Sequence, residues 1–322
     1  MLNRRQIRIK ALQTLYSHFQ SGDISLRDTE DNLKRNMDKL YELYVWQLSI
    51  LVEIIDFAEE RIEDAKKKFL PTEEDLNPNT KFIDNRFIRK LRNNKDYRRL
   101  TQKYKVNWGG ERELIRHLFM RVKDSFFYEK YMKRSDDDFE RDKSVLIDII
   151  RYVLADDDLL RDFLEEKYFL WSEDYYMALS FVMTTIGDFG PRSDADTKLP
   201  SLFKASFDEN GRNEDELFLY NLVRKTITGV EKYDEIIKAK AKNWEFERIA
   251  VMDLILLRMG MTEAFEFETI PLKVTLNEII ELAKHFSSPK SKVFINGLLD
   301  KTIEEGLANG DIVKKGRGLI GG

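Results

Sequence analysis

The residues best suited to do chemistry in this chain are cations near its two ends, and the chemistry they suit is binding rather than bond breaking. Arg4, Arg5, Arg8 and Lys10 all precede the first acidic residue, Asp23. Towards the other end, Lys290, Lys292, Phe294 and Asn296 fall between Glu281 and Asp300, a stretch with no acid in it. Cationic side chains attract phosphate, and a helix start with free backbone amides and nearby lysines is a reasonable site for one. Each phosphate contact releases counterions, so such binding weakens with salt, with a slope of about −0.7 per contact for a single strand. The same residues fit a blander picture, since basic helix faces are commonly just solvated and Phe294 suits a core position equally well. Taken alone they leave both readings open.

No catalytic or metal-binding constellation competes with these cations. The chain contains no cysteine, which excludes disulfides, thiolate metal sites and a thiol nucleophile. His18, His117 and His285 are far apart and have no metal-ligand spacing. The acidic runs Asp136–Asp138 and Asp156–Asp158 are adjacent residues, whereas a hard cation needs several oxygens converging in space. They read better as caps for the helices that follow. No phosphate-binding or dinucleotide glycine pattern occurs, and Trp108-Gly109-Gly110 reads as a turn. No catalytic residue, cofactor or metal is therefore expected.

The elements that must carry these residues are helical. In the 322-residue chain 42% of residues are hydrophobic and 35% charged, with only six prolines, a profile of two helical domains. No apolar run approaches the ~20 residues that span a bilayer, and the start of the chain is charged rather than apolar. The expectation is a cytoplasmic protein with no membrane partner. Net charge is −4, yet charge is blocked: residues 86–105 hold nine Lys or Arg against Asp96 alone. Local fields, not the total, decide what a surface attracts.

Apolar spacing predicts a helix from about Glu245 to Glu263, apolar nearly all round and therefore buried. Within the apolar run the exceptions are Arg248, Asp253, Arg258 and Glu263. Ion pairs at the helix margins suit the arginines. Asp253 has no basic residue three or four positions away, so its partner should lie on another segment or another protein. A second helix should start at Thr269-Pro271 and end at Lys284-His285, and a third should start at Ser288-Pro289. At the N-terminus, Leu12, Leu15 and Phe19 form a core-facing stripe, with Arg4 and Arg8 expected on the opposite face.

The segments ILLRMGMTE, IPLKVTLNEIIELAKHF and FINGLLD, with RRQIRIKALQTLYS at residues 4–17, resemble the NusB family of bacterial transcription antitermination factors. The stretch from Leu217 to Asn243 also fits. The resemblance covers roughly 1–38 and 213–305, and leaves 39–212 as a large helical insertion and 306–322 as a flexible tail. It implies an all-α fold of two small helical bundles without catalytic activity. It further implies binding to boxA-type single-stranded RNA, jointly with a small-subunit ribosomal protein acting as NusE, within an RNA polymerase antitermination complex. By family position, Arg4, Arg5, Arg8, Lys10, Lys290, Lys292, Phe294 and Asn296 would face RNA, and Tyr16 and Asp253 the protein partner. Two positions depart from the pattern. Gln6 stands where many relatives have an arginine, and Lys290 where some have an acid, so RNA affinity cannot be carried over.

Two other classes are weighed. The family's domain also occurs fused to a ribosomal RNA cytosine methyltransferase, an activity that requires a cysteine this chain lacks. A helical interaction scaffold that keeps the fold without specific RNA binding is the alternative. In the insertion, Tyr41 to Phe69 reads as one long helix stopped by Pro71. The basic stretch 86–105, interleaved with Phe87, Leu91, Tyr97 and Tyr104, fits either a packed helix or a second nucleic-acid surface.

Overall fold

The structure, a computed structural model, describes residues 2–134, 138–241 and 246–319, with Arg317 described by its backbone only. Within these residues lie α1 (Arg4–Gln20), α2 (Leu26–Lys66), α3 (Glu73–Leu76), α4 (Arg86–Asn93), α5 (Lys95–Lys103), α6 (Arg112–Lys123), α7 (Phe126–Met132) and α8 (Phe139–Ile149). They are followed by α9 (Asp158–Lys167), α10 (Trp171–Asp188), α11 (Glu214–Thr228), α12 (Val230–Lys240), α13 (Val251–Glu266), α14 (Leu272–Phe286) and α15 (Pro289–Ala308). Among the described residues there is no strand, only an isolated bridge between Phe207 and Asn213. The all-α expectation holds. None of the described helices is long and apolar enough to cross a membrane.

The chain divides into two compact units. One comprises residues 2–35 and 202–322, the other 36–201. The boundaries expected from sequence were 38/39 and 212/213. Residues 202–213 belong to the first unit because the Leu2 amide donates to the Leu202 carbonyl at 2.8 Å, and because Asn213 caps α11 by accepting from the amides of Asp215 and Glu216.

The first unit is built around α13. Every residue from Ile255 to Ala264 is buried, and α1, α11, α12, α14 and α15 all pack on this helix. Gly260 permits the close approach: a Cβ there would lie 3.0 Å from Leu299 and 3.2 Å from Ile279. The helix starts later than expected. A short 3₁₀ turn at 246–248 and the Ile249-Ala250 break precede Val251, and Glu245 lies outside the described residues. Pro271, not Thr269, is the residue flanking α14, while Ser288 caps α15 with Pro289 in the first turn as expected. At α1, Asn3 and Gln6 cap each other reciprocally, each side chain accepting the other's amide at 2.9 Å. Gln6 is thus an acceptor in a capping box, a role that arginine, a pure donor, cannot fill.

The tail corrects an expectation. Residues after 306 do not simply trail off: Ile312 is 4% exposed and packs with Ala264 and Ile303, and the Lys315 amide donates to the Glu268 carbonyl. A 3₁₀ turn then covers Gly316–Leu319. The apolar Ile312 side chain, which sequence periodicity could not see, is what docks the segment.

In the second unit, the rest of α2 supplies a long apolar face. Trp46, Trp108 and Phe163 cluster with ring centroids 5.0–6.1 Å apart, and the Trp108 indole donates to Ser49 at 2.8 Å. The aspartate runs act as caps: Asp138 accepts from the Glu140 amide at the start of α8, and Asp157 from the Leu160 amide at the start of α9. Asp136 and Asp137 lie outside the described residues. The basic stretch 86–105 forms two helices, α4 and α5, divided at Asn94.

Replacing Ile312 with Ala should cost about 2–5 kcal/mol of the first unit's stability, the range for a truncated core isoleucine, and should speed proteolysis after residue 310. An unchanged denaturation midpoint and digestion pattern would show that this contact holds nothing in place.

Candidate nucleic-acid interface

The arginines of α1 separate into two kinds. Arg8 is 1% exposed. Its Nε and Nη2 donate to Glu263 Oε2 and Oε1 at 2.7 Å each, and Glu263 is itself fully buried on α13. Thr275 on α14 donates its hydroxyl to the same Glu263 Oε1 at 2.8 Å. Arg8 also donates to the Arg4 carbonyl at 3.2 Å, and Phe218 of α11 lies 5.2 Å beneath its guanidinium. The expectation that Arg8 faces RNA therefore fails. Its position explains why: residues 8, 12 and 15 share one stripe of a helix, so Arg8 sits on the core side with Leu12 and Leu15, both buried. Lys10, also expected at the RNA face, is buried as well, at 5% exposure.

Arg4 and Arg5 remain at the surface, 43% and 46% exposed by side chain. Neither is without a partner. Arg4 pairs with Asp215 at 2.7 Å and lies 4.5 Å above the Phe218 ring. Arg5 binds Glu278 through two hydrogen bonds of 2.9 and 2.8 Å. These hydrogen bonds hold the Glu278 carboxyl below its usual range, and Glu278 in turn raises the Arg5 guanidinium. Beside Arg4 opens a cleft of about 780 Å³, lined by Phe218, Asn221, Phe267 and Pro271 among others. Ordered cations, an aromatic wall and a carboxamide thus border one open space.

A second group occupies the start of α15. Lys290, Lys292 and Asn296 are exposed and Phe294 is half-buried. Asn296 donates to Asp300 one turn on, at 2.9 Å. Ser288 Oγ accepts the Ser291 amide, which spends one of the free amides a phosphate could use. Of the residues expected to meet a protein partner, Tyr16 is 42% exposed. Asp253 is 6% exposed and accepts a hydrogen bond from the Ser287 hydroxyl. The partner that sequence could not supply is thus a neighbouring loop of the same chain. Arg258, expected to pair at the margin of α13, binds Asp234 of α12 through two 2.8 Å hydrogen bonds.

In the other unit the basic stretch is largely neutralised. Arg86, Arg89, Arg92, Lys95, Arg99 and Lys103 pair with Asp142, Asp84, Asp56, Asp196, Asp96 and Asp38 respectively. Lys90 donates to the carbonyls of Pro191 and Ser193, and Arg98 to that of Arg92. Its positive charge is used for packing, which favours the packed-helix reading over a second nucleic-acid surface.

Sequence reasoning missed Glu263, Thr275, Phe218, Asp215 and Glu278, the groups that hold the arginines. A signal existed for one of them, since Glu263 was an isolated acid on an apolar helix that needed a partner. That this partner lies 255 positions away could not be read from spacing.

Glu263→Gln should cost about 3–5 kcal/mol in urea denaturation, because it strands a buried guanidinium. Arg8→Met combined with Glu263→Leu should cost less than either single change; a double variant as unstable as the summed singles would contradict the pairing. The depressed Glu278 carboxyl contributes stability that is present above its unfolded pKa of about 4.3 and is lost as pH falls through the lower folded value. An NMR titration should place its midpoint below that of an ordinary glutamate, and Arg5→Ala should bring it back.

Comparison with known proteins places this arrangement. The NusB family profile matches residues 192–304. The transcription antitermination protein NusB of Salinibacter ruber is 43% identical over 128 residues, covering 40% of this chain and 79% of that protein. The NusB protein of Chloroherpeton thalassium is 38% identical over 103 residues, 32% of this chain and 49% of that protein. That of Natranaerobius thermophilus is 36% identical over 88 residues, 27% of this chain and 63% of that protein, so the chain spans only about half to two thirds of these last two relatives. No solved structure is matched. The identity across most of the Salinibacter protein settles the assignment: this chain belongs to the NusB family.

Proposed function

We propose that this chain is a transcription antitermination factor that binds boxA-like single-stranded RNA of ribosomal RNA transcripts. It does so in the cytoplasm, together with the small-subunit ribosomal protein that serves as NusE, as part of an RNA polymerase antitermination complex. The observation that carries this reading is the 43% identity with the Salinibacter antitermination protein. The local geometry supports it. Arg4 and Arg5 stand half exposed at the start of α1, and Arg4 borders an open cleft with an aromatic wall. Lys290 and Lys292 stand exposed at the start of α15 next to Phe294 and Asn296. Arg8 and Lys10, being buried, support this surface rather than touch RNA. RNA phosphates would displace Asp215 and Glu278 from Arg4 and Arg5, exchanging one charge-assisted hydrogen bond for another.

Tyr16 and Asp253 remain the proposed contacts for the protein partner. The carboxylate of Asp253 is held by Ser287, so a partner would meet an ordered acceptor rather than a free one. A second reading, an interaction scaffold of this fold without specific RNA binding, is favoured by the acids already bound to Arg4 and Arg5.

Titration against a boxA-like RNA and a scrambled control, with and without the ribosomal partner and at two salt concentrations, separates the two. The proposed function requires preference for the boxA-like RNA and a gain in affinity from the partner; equal weak binding to both RNAs without that gain supports the scaffold. Glu278→Gln should tighten RNA binding several-fold by freeing Arg5. Asp253→Lys should weaken the partner more than the RNA, and the reverse pattern would show the roles to be misassigned.

A further inference from the structure

The second unit contains cations of a different kind from those of the basic stretch. Lys123, Lys130 and Arg151 are exposed and, among the described residues, form no ion pair. Close to them in sequence, Arg121, Asp124, Phe126, Phe127 and Tyr152 line a cleft of about 390 Å³, within the ~300–1,000 Å³ typical of small-ligand sites. Lys123 ends α6 immediately before the lining residue Asp124, and Arg151 adjoins Tyr152. Lys130 shares a face of α7 with the lining residue Phe126, four positions earlier. Asp148 lies close enough to Arg151 and Lys130 to be influenced by both, and offsets part of their charge.

The cleft has an aromatic floor that the fold leaves open. The Phe127 and Tyr152 rings are stacked, with centroids 6.0 Å apart and planes at 28°, and Phe126 meets both edge-on at 5.8 and 6.1 Å. Phe126 is 70% exposed and Tyr152 54%, although burying either ring would be favourable. A local change in the helix explains the position of Tyr152. After α8 the chain widens into a π-helical turn over Ile150–Leu154, closed by the Ala155 amide on the Ile150 carbonyl. Such turns are rare and are found disproportionately at functional sites. This one buries Val153 and Leu154 and leaves Arg151 and Tyr152 outside. One wall is rigid: Arg121 and His117 both bind Asp157, at 2.5 and 2.8 Å, and Arg121 also reaches the Val153 carbonyl of the π turn at 3.3 Å.

We propose that this cleft on the second unit binds an unpaired nucleobase of single-stranded RNA. The base stacks on Tyr152 and Phe126, its edge meets the Asp124 carboxylate and the Arg121 guanidinium, and Lys123, Lys130 and Arg151 take the flanking phosphates. Exposed aromatics interleaved with exposed cations are the combination that single strands require. A proline-rich peptide would use the aromatic floor but has no use for the Arg121 guanidinium in the lining or for the exposed cations of the neighbouring turns. The site belongs to a different unit from Arg4 and Arg5 and lies outside the residues matched by the family profile. It would give the chain an RNA contact of its own beyond the boxA surface.

The test uses the full chain and an unstructured oligouridine carrying one 5-iodouridine, which photo-crosslinks to a stacked aromatic. Mass spectrometry should place the crosslink on Tyr152 or Phe126. Tyr152→Ala should weaken binding about tenfold, the effect of losing one base–aromatic stack, and Arg151→Glu should weaken it several-fold. The crosslink at Tyr152 should persist in an Arg4→Ala, Arg5→Ala protein, so this site stands or falls independently of the boxA surface. Crosslinks confined to the first unit, or a Tyr152→Ala protein that binds the RNA as the native one does, would overturn the proposal. Native RNA affinity in Tyr152→Ala together with loss of binding to a proline-rich peptide would likewise overturn it and assign the cleft to a protein.

Discussion

The structure of the first unit depends on one buried ion pair. Arg8 and Glu263 meet with almost no exposure to solvent, and each brings further groups with it. Through Glu263 the pair engages Thr275, and through Arg8 it engages the Arg4 carbonyl and the Phe218 ring. A single bidentate contact therefore ties α1 to α11, α13 and α14. Burying two charges is costly, and the geometry must be close to ideal to offset that cost. Both conditions explain why an arginine stands at the core side of an otherwise apolar stripe. They also explain why Glu263 stands in a run of ten buried residues, 255–264.

The pair anchors the first two turns of α1, from which the proposed RNA-facing arginines project. With Arg8 locked and the Asn3–Gln6 box closing the first turn, Arg4 and Arg5 project from an ordered helix end rather than from a frayed one. Their acidic partners, Asp215 and Glu278, keep them in place without burying them. An anion arriving there meets guanidinium groups already positioned, and less side-chain freedom is lost on binding.

Much of this was legible from residue order, and the limits are physical. Helix type, the Ser288-Pro289 start and the capping role of the aspartate runs depend on local chemistry, and the structure agrees. The long-range pairs do not depend on local chemistry. Arg8 looked like a member of a basic face because its neighbours at 4, 5 and 10 are basic. Only the fold, by bringing Glu263 and Thr275 to it, shows that it belongs to the core. The basic stretch 86–105 was ambiguous for the same reason, since its acids come from as far away as Asp38 and Asp196. The Tyr152 cleft was invisible, because a π turn has no signature in apolar periodicity.

Of the N-terminal arginines, Arg8 builds the unit, and Arg4 and Arg5 are the ones proposed to meet RNA. The salt dependence of RNA binding tests that division most directly. A protein with Arg8→Met and Glu263→Leu should show the same slope of log affinity against log salt as the native chain. Arg5→Ala should lower that slope by about 0.7, the share of one phosphate contact on a single strand. A folded Arg8→Met, Glu263→Leu protein whose slope falls by that amount would place Arg8 on the RNA and contradict the account.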